Sequence, residues 1–514
     1  MSHIDYEMIT KHFIMDGFFS EYLPPSFSLE NSFDPCTVPM AEKAELVSPL
    51  MFTMSRFSED GKRRAIYIPE FSGYLSTVKF MRENDLIKDI IQESADEHSF
   101  SPLIQTDGNL TRHEQCYYFD ITADESDQES FNSTYIPNIV DKLNRAKGAC
   151  GILSLDISNF YASIYTHLIP CIKLGYENAE IQYKAKKANN SDPCITEAYR
   201  TYSNLDEHIR NLNNARTNGL LPGTLISQFI AEALLSKVDE EIQEHGIQFV
   251  RYVDDYEIFI YDEAKINEIQ STIMMILSKY SLSLNNEKTK YTAFPYYVIE
   301  NLEEIFINFF RNNPSDAEIM KLFNTYFKLE GTGTKGAIRF LIKSINDSFI
   351  PFNNNLLLSY LFDVLANDSR SLVKVCQLLI RRKSQSTIDG SDLLMIENLL
   401  KKHLQAGNHL EAVWLLYLRR KISRKKISAE ILHTVARSDN DFAKIIIIEE
   451  CCQSRVSEKL KKEIIQSESS WLLCYQLFYN DWISKDQFLK LSHITKNAAF
   501  YATLKRKNFS FYKA

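Results

Sequence analysis

Two adjacent carboxylates interrupt an otherwise apolar stretch of the sequence. Asp254 and Asp255 lie inside residues 249–260, a run of β-branched and aromatic side chains that predicts a β-hairpin. Burying ionised carboxylates without partners is strongly unfavourable, so the pair must lie at a turn in water or be held by cations. From this segment alone, a plain Asp-Asp turn stays open as the alternative.

A second predicted strand also ends on a carboxylate. Residues 151–155 form a short apolar run, and Asp156 follows it directly. If the two segments are neighbours in one sheet, Asp156 meets Asp254 and Asp255, although they are distant in sequence. Oxygen ligands of this kind suit Mg²⁺, with Mn²⁺ as the alternative ion. Two such ions, roughly 3.5 to 4 Å apart, would activate an attacking hydroxyl and neutralise a leaving pyrophosphate.

Five segments of the chain resemble the motifs of reverse transcriptases and follow that family's order. The Asp156 strand resembles motif A, and Tyr252 to Asp255 resembles motif C. The fingers motif, motif B and motif D are similar to residues 62–69, 219–228 and 282–289. The resemblance implies an α+β fold: a right-hand polymerase palm and fingers, with a βαββαβ sheet flanked by helices.

The resemblance also implies a role for each candidate residue. Asp156, Asp254 and Asp255 would bind the metal ions, and Lys288 would act as a general acid toward pyrophosphate. Tyr161 would lie beneath the sugar and exclude a 2'-hydroxyl, which implies deoxynucleotide (dNTP) substrates. The other implied substrate contacts, of which Arg64 is the leading candidate, are Lys62, Arg63, Arg64, Gly223 and Gln228.

These residue types have plain structural alternatives. The three consecutive basic residues 62–64 could form a solvated face. Tyr161 could be a core aromatic residue, and Lys288 could be an ordinary surface lysine. Motif B also departs from the family, because Pro222 stands where many members carry a Gln that positions template and nucleotide. That departure weighs against ordinary templated copying.

The last two hundred residues differ in charge and periodicity from the rest. Residues 315–514 carry a balance of +11, whereas residues 1–314 carry −20. Apolar stretches recur after polar starts, which predicts HEAT-like helical repeats over residues 301–514, following a polymerase unit over residues 1–300. The recurring stretches are Leu372 to Ile380, Leu410 to Leu418, Phe442 to Ile448 and Trp471 to Tyr479.

Basic residues cluster at the ends of these predicted repeats. Arg419, Arg420 and Lys421 are one such group, and Arg381 to Lys383 are another. They would either line a surface that holds a single strand of nucleic acid or act as the cations that helix C-termini favour. The sequence leaves both interpretations open.

The order of a polymerase unit followed by helical repeats resembles the abortive-infection (AbiK-like) reverse transcriptases of bacteria. No RNase H, integrase, maturase or endonuclease segment is recognisable in the sequence. The resemblance implies phage defence in the bacterial cytoplasm by a homo-oligomer, a trimer or hexamer. It also implies template-independent, protein-primed synthesis of single-stranded DNA that stays attached to the protein. Candidate priming hydroxyls include Tyr6, Tyr22 and Tyr74.

Two other classes of function stay open. One is a templated reverse transcriptase of the retron or intron type, and the other is a non-catalytic module that keeps a polymerase shape. Nine cysteines without a C-x-x-C pair fit reduced intracellular thiols. The longest aliphatic run, residues 445–448, is far shorter than a membrane span, so no membrane partner is expected.

Overall fold

The computed structural model describes most of the chain. The described residues are 4–29, 34–41, 45–54, 63–94, 98–103, 135–296, 302–309, 314–347, 354–451, 457–467 and 469–513.

Two antiparallel sheets form the first half of the molecule. The small sheet pairs β1 (Leu50–Thr53) with β2 (Ala65–Ile68). The central sheet contains β3 (Gly151–Asp156), β4 (Phe249–Tyr252), β5 (Asp255–Ile260) and β6 (Lys290–Ala293), in the spatial order β4-β5-β3-β6. Helices separate β3 from β4 and β5 from β6, so the predicted βαββαβ order is present.

Nine helices in the part of the chain that the structure describes surround these sheets. The most buried of them follows a turn in which the hydroxyl of Thr224 accepts a hydrogen bond from the Ser227 N–H and caps the helix. The polar stretch between β3 and this helix folds into a pair of helices that pack on each other. In chain order they are α1 (Tyr6–Met15), α2 (Phe71–Glu83), α3 (Leu86–Glu93), α4 (Tyr135–Arg145), α5 (Phe160–Ser163), α6 (Cys171–Ala188), α7 (Glu197–Leu212), α8 (Leu225–Glu244) and α9 (Ile266–Lys279).

The second half is helical, with no strand among its described residues after Ala293. The helices are α10 (Leu302–Phe309), α11 (Asp316–Gly331), α12 (Ala337–Asp347), α13 (Asn355–Asn367), α14 (Leu372–Arg381), α15 (Gly390–Gln405), α16 (His409–Ile422), α17 (Ala429–Arg437), α18 (Asp441–Ile446), α19 (Glu458–Gln466), α20 (Trp471–Tyr479), α21 (Lys485–Ser492) and α22 (Ala498–Arg506). A π-helical turn, Ile447–Cys451, extends α18.

The recurring apolar stretches correspond to one row of buried helices. These are α14, α16, α18 and α20, and each packs on the next. Helices α15, α17 and α19 form a second row beside them. The predicted helices are therefore confirmed, and alternate helices bury the apolar faces that none could bury alone.

The basic group in the last turn of α16 mainly stabilises the end of that helix. Arg419 is buried, and its Nε donates to Glu397 at 2.8 Å. Its other nitrogens donate to backbone carbonyls beyond the end of α16. Arg420 and Lys421 both lie beside the carboxylate of Glu450. In this group, therefore, the cations satisfy carbonyls and carboxylates of the helical half.

The two halves of the chain share one hydrophobic core. Phe511, near the C-terminus, packs against Phe18 and Phe71 from the first half and against Trp471 from α20. The buried carboxylate of Glu70 caps α2 and also accepts the hydroxyl of Tyr501 from α22. No helix within the described ranges has the length and apolar character to cross a membrane.

We expect Phe511→Ala to lower the free energy of unfolding by about 3 to 5 kcal/mol, because the fully buried ring leaves a cavity between the halves. Urea unfolding measures this change. Phe294→Ala is the matched control, since Phe294 is 74 % exposed, and it should change stability by less than about 0.5 kcal/mol. Equal midpoints for the two variants would contradict the shared core.

Candidate active site

The three predicted carboxylates converge at one end of the central sheet. Asp156 is the last residue of β3, and Asp255, the first of β5, is its partner in the strand register. The backbone N–H of Ile157 donates to the carbonyl of Asp254 at 3.1 Å. Strand pairing therefore brings Asp156, Asp254 and Asp255 together, as the sequence predicted.

A tight two-residue turn joins β4 to β5. Tyr252 pairs with Asp255, so Val253 and Asp254 alone form the connection. Val253 has φ +56°, in the left-handed region that a β-branched residue rarely adopts. Such a conformation costs about 1 to 3 kcal/mol and persists only where surrounding contacts impose it. Because Asp254 follows directly, this turn sets the position of its carboxylate.

The carboxylates repel one another. Burial, followed by the charges of Asp254 and Asp156, raises the pKa of Asp255 to about 6. Burial, then Asp156, also raises the pKa of Asp254. Lys288 offsets this in part, with its Nζ 2.6 Å from Oδ1 of Asp156. The turn therefore carries more negative charge than the nearby cations neutralise.

This excess charge fits a divalent cation. No three His, Cys, Asp or Glu side chains within the described ranges form a ready-made metal cage. Mg²⁺ does not need one, since it keeps several waters and commonly uses one or two carboxylates together with substrate phosphates. Asp156 and Asp254, with Asp255 beside them, are suitable oxygen donors for such an ion.

The two described arginines of the fingers motif have different surroundings. The charge of Arg64 opposes the rise in the pKa values of Asp254 and Tyr161, so Arg64 lies toward the carboxylates. Arg63 instead donates to Glu411 of α16 at 2.9 Å and to the carbonyl of Met54 at 3.0 Å. Its guanidinium is therefore already paired, and its role as a substrate contact stays a prediction. Lys62 lies outside the described residues.

Motif B packs directly on the fingers strand. Gly223 has φ +117°, and a Cβ there would lie 2.3 Å from Cγ2 of Ile66. Only glycine therefore fits at this position. The Tyr67 N–H donates to the carbonyl of Pro222 at 2.9 Å, and Gln228 lies partly buried in the next turn of α8. These contacts join β2 to the start of α8.

Tyr161 lies at the start of α5, between the carboxylates and motif B. Burial raises the pKa of Tyr161, with further contributions from the negative charges of Asp254 and Glu232. Its backbone carbonyl accepts the Leu220 N–H at 2.8 Å, which ties the segment after motif A to the segment before motif B. The ring is thus close enough to Asp254 to feel its charge, and its role toward the sugar stays a prediction.

Sequence reasoning missed a buried polar cluster beneath the turn. Arg251, on β4, has no exposed surface and is held by Glu232 and Asp239 of α8. Ser99 and Ser101 donate to the same Glu232 carboxylate. An arginine inside an apolar strand was the available signal, since a buried charge needs partners just as the aspartates do.

We expect Asp255→Asn to stabilise the metal-free protein. Because the folded state raises the pKa of Asp255 to about 6, the wild-type protein loses stability as the pH rises from about 4 to about 6. The neutral variant lacks this loss, so its melting temperature in EDTA should exceed that of wild type at pH 7.5, and the difference should disappear near pH 4. Asp5→Asn, at an exposed helix cap, is the control. A lower melting temperature for Asp255→Asn at pH 7.5 would contradict the repulsion.

Comparison with known proteins agrees with this geometry. No curated protein matches the chain. One similar solved structure is telomerase from Candida albicans with a "TWJ fragment of telomeric RNA", at 12 % identity and a TM-score of 0.28, covering 70 % of this chain and 63 % of that one. Another is apo telomerase from Candida tropicalis, at 9 % identity and a TM-score of 0.33, covering 83 % of this chain and 70 % of that one. Both TM-scores are too low to bear on function, and the chain spans less than two thirds of the first. The family model described as "Reverse transcriptase (RNA-dependent DNA polymerase)" matches residues 83–341, half of the chain. The chain therefore belongs to the reverse transcriptase family.

Proposed function

We propose that the protein polymerises dNTPs at the site formed by Asp156, Asp254 and Asp255. The observation that carries this proposal is the convergence of the three carboxylates, with raised pKa values at Asp254 and Asp255, in a chain of the reverse transcriptase family. Two bound Mg²⁺ ions would lower the pKa of the attacking hydroxyl and neutralise charge on the leaving pyrophosphate.

The surrounding side chains have distinct roles in this reaction. Arg64 pairs with phosphate oxygens of the incoming nucleotide through charge-assisted hydrogen bonds. Lys288, whose Nζ contacts Asp156, donates a proton to the leaving pyrophosphate. The ring of Tyr161 lies against the sugar and leaves no room for a 2'-hydroxyl.

More specifically, we propose template-independent, protein-primed DNA synthesis that acts in abortive infection of bacteria. The active species is a homo-oligomer that keeps the single-stranded DNA product attached. Pro222, in place of a template-positioning Gln, supports synthesis without a template. The two rows of α-helices in the second half support a HEAT-like scaffold of the AbiK-like kind. Tyr74 is an unsuitable primer, because it is buried and its hydroxyl donates to the carbonyl of Phe13. Tyr6 and Tyr22 stay candidates.

We expect purified, nuclease-treated protein to become labelled when it is incubated with Mg²⁺ and labelled dNTPs. On a denaturing gel, protein priming gives label that migrates with the polypeptide and is removed by both DNase and protease. Asp254→Ala should lose incorporation by at least about a hundredfold, because a metal ligand is removed, whereas Asp5→Asn should keep it.

The alternative outcomes are distinct. Label that enters DNA only after a primed RNA or DNA template is supplied would identify a templated reverse transcriptase of the retron or intron type. Synthesis that persists in pure Asp254→Ala protein would overturn the assignment of the site.

We expect Tyr161→Ala to incorporate ribonucleotides more readily, because the variant lacks the ring that excludes the 2'-hydroxyl. The ratio of kcat/KM for a dNTP to that for the matching rNTP measures this and should fall by about a hundredfold or more. Tyr161→Phe keeps the ring and should keep the ratio. An unchanged ratio in Tyr161→Ala would indicate that Tyr161 is only a packing residue.

A further inference from the structure

Both backbone polar groups of Val253 are held by buried side chains. Its N–H donates to Oγ of Ser101 at 3.0 Å, and its carbonyl accepts from NH1 of Arg251 at 2.9 Å. Val253 is the strained residue of the catalytic turn, and Asp254 is its neighbour in the chain. Two side-chain hydrogen bonds therefore hold the left-handed conformation, one from Arg251 within the hairpin and one to Ser101 outside it.

The two groups that hold Val253 meet at one carboxylate. Arg251 donates from NH1 and NH2 to the two oxygens of Glu232, at 2.9 and 2.8 Å. Ser101 donates to Oε2 of the same carboxylate at 3.4 Å, and Ser99 donates to Oε1 at 2.6 Å. Glu232 is 5 % exposed and lies on α8. The buried Glu232 carboxylate thus orients both Arg251, which donates to the Val253 carbonyl, and Ser101, which accepts from the Val253 N–H.

The cluster is rigid because its members are fixed by other elements as well. Nε of Arg251 donates to Asp239, which lies two turns after Glu232 on α8, at 2.7 Å. The hydroxyl of Tyr256, on β5, donates to the other oxygen of Asp239 at 2.8 Å. The segment that carries Ser99 and Ser101 pairs with β4, because the Arg251 N–H donates to the carbonyl of His98 at 2.9 Å.

We propose that Glu232 is a positioning residue for the metal-binding carboxylate, and that it acts through Arg251 and Ser101 to hold the Val253 turn in its strained conformation. This proposal rests on the proposed function, because it takes Asp254 as a metal ligand. None of these side chains touches a reacting atom in the proposed arrangement. They resemble instead the outer partners of metal ligands, whose removal commonly weakens metal binding by about 10- to 100-fold.

Ser101→Ala is the sharpest variant, because it removes only the hydroxyl that accepts from Val253 and leaves the buried ion pair intact. Ser236→Ala is the matched control. Ser236 is also buried, lies on the same helix as Glu232, and hydrogen-bonds only locally, to the carbonyl of Ala233 at 2.8 Å. Both variants lose one buried hydroxyl, so a general loss of packing affects them alike.

The first measurement is amide hydrogen exchange in the full-length, metal-free protein, read on a peptide that spans residues 249–256. We expect exchange at Val253 to become about tenfold faster in Ser101→Ala and to stay at the wild-type rate in Ser236→Ala. Equal exchange in the two variants would overturn the proposal. This result does not depend on metal binding or on activity.

The second measurement is Mn²⁺ affinity, followed by the electron paramagnetic resonance of the free ion. Ser101→Ala should bind Mn²⁺ about tenfold more weakly than Ser236→Ala and wild type. Equal affinities would show that the turn does not position a metal ligand. Asp254→Asn separates the two levels of the argument: if it leaves the affinity unchanged, the metal site of the proposed function is wrong, whereas the exchange result still decides whether Ser101 holds the turn.

Discussion

Mutual repulsion among three carboxylates is the constraint that the rest of the first half has to meet. Asp156, Asp254 and Asp255 lie at one end of a sheet whose strands are buried, and each negative charge raises the free energy of its neighbours. Lys288 and Arg64 relieve this only in part. The fold must therefore supply, from core packing and strand pairing, the stability that these side chains remove. This trade of stability for a charged site is common in enzymes, because the same repulsion favours cation binding.

The β4-β5 hairpin is anchored in a way that holds the three carboxylates together against their repulsion. Strand β5 lies between β3 and β4, so register alone aligns Asp255 with Asp156. Register does not fix the turn, because a left-handed valine is unfavourable without external contacts. Helix α8 is buried along most of its length, and its two inward carboxylates reach the hairpin through Arg251. Helix α8 thus supports the site from beneath, in addition to the contact that Gly223 of motif B makes just before this helix begins.

How much of this the sequence predicts depends on the range of the interaction. A short apolar run predicts β3, a run of β-branched and aromatic residues predicts β4 and β5, and recurring apolar stretches predict the inner row of helices, because these patterns are local. The pairing of Arg63 with Glu411 joins residues more than three hundred positions apart, and no local pattern distinguishes Arg63 from Arg64. The sequence likewise leaves Tyr74 among the candidate priming hydroxyls, and its burial follows only from the packing of α1 on α2.

The Arg63 and Arg64 pair also bears on what the helical half does. Consecutive residues of an extended segment point in opposite directions, so a single step along the chain places Arg64 toward the carboxylates and Arg63 toward α16. Glu411 is fully buried, and removing its partner would leave an uncompensated charge in the core. The His409 N–H also donates to the hydroxyl of Thr53 on β1, so α16 holds both β1 and the residues that lead into β2. The helical half is thus part of the support that holds Arg64 in place, and any change that shifts α16 also shifts the arginine proposed to bind the incoming nucleotide.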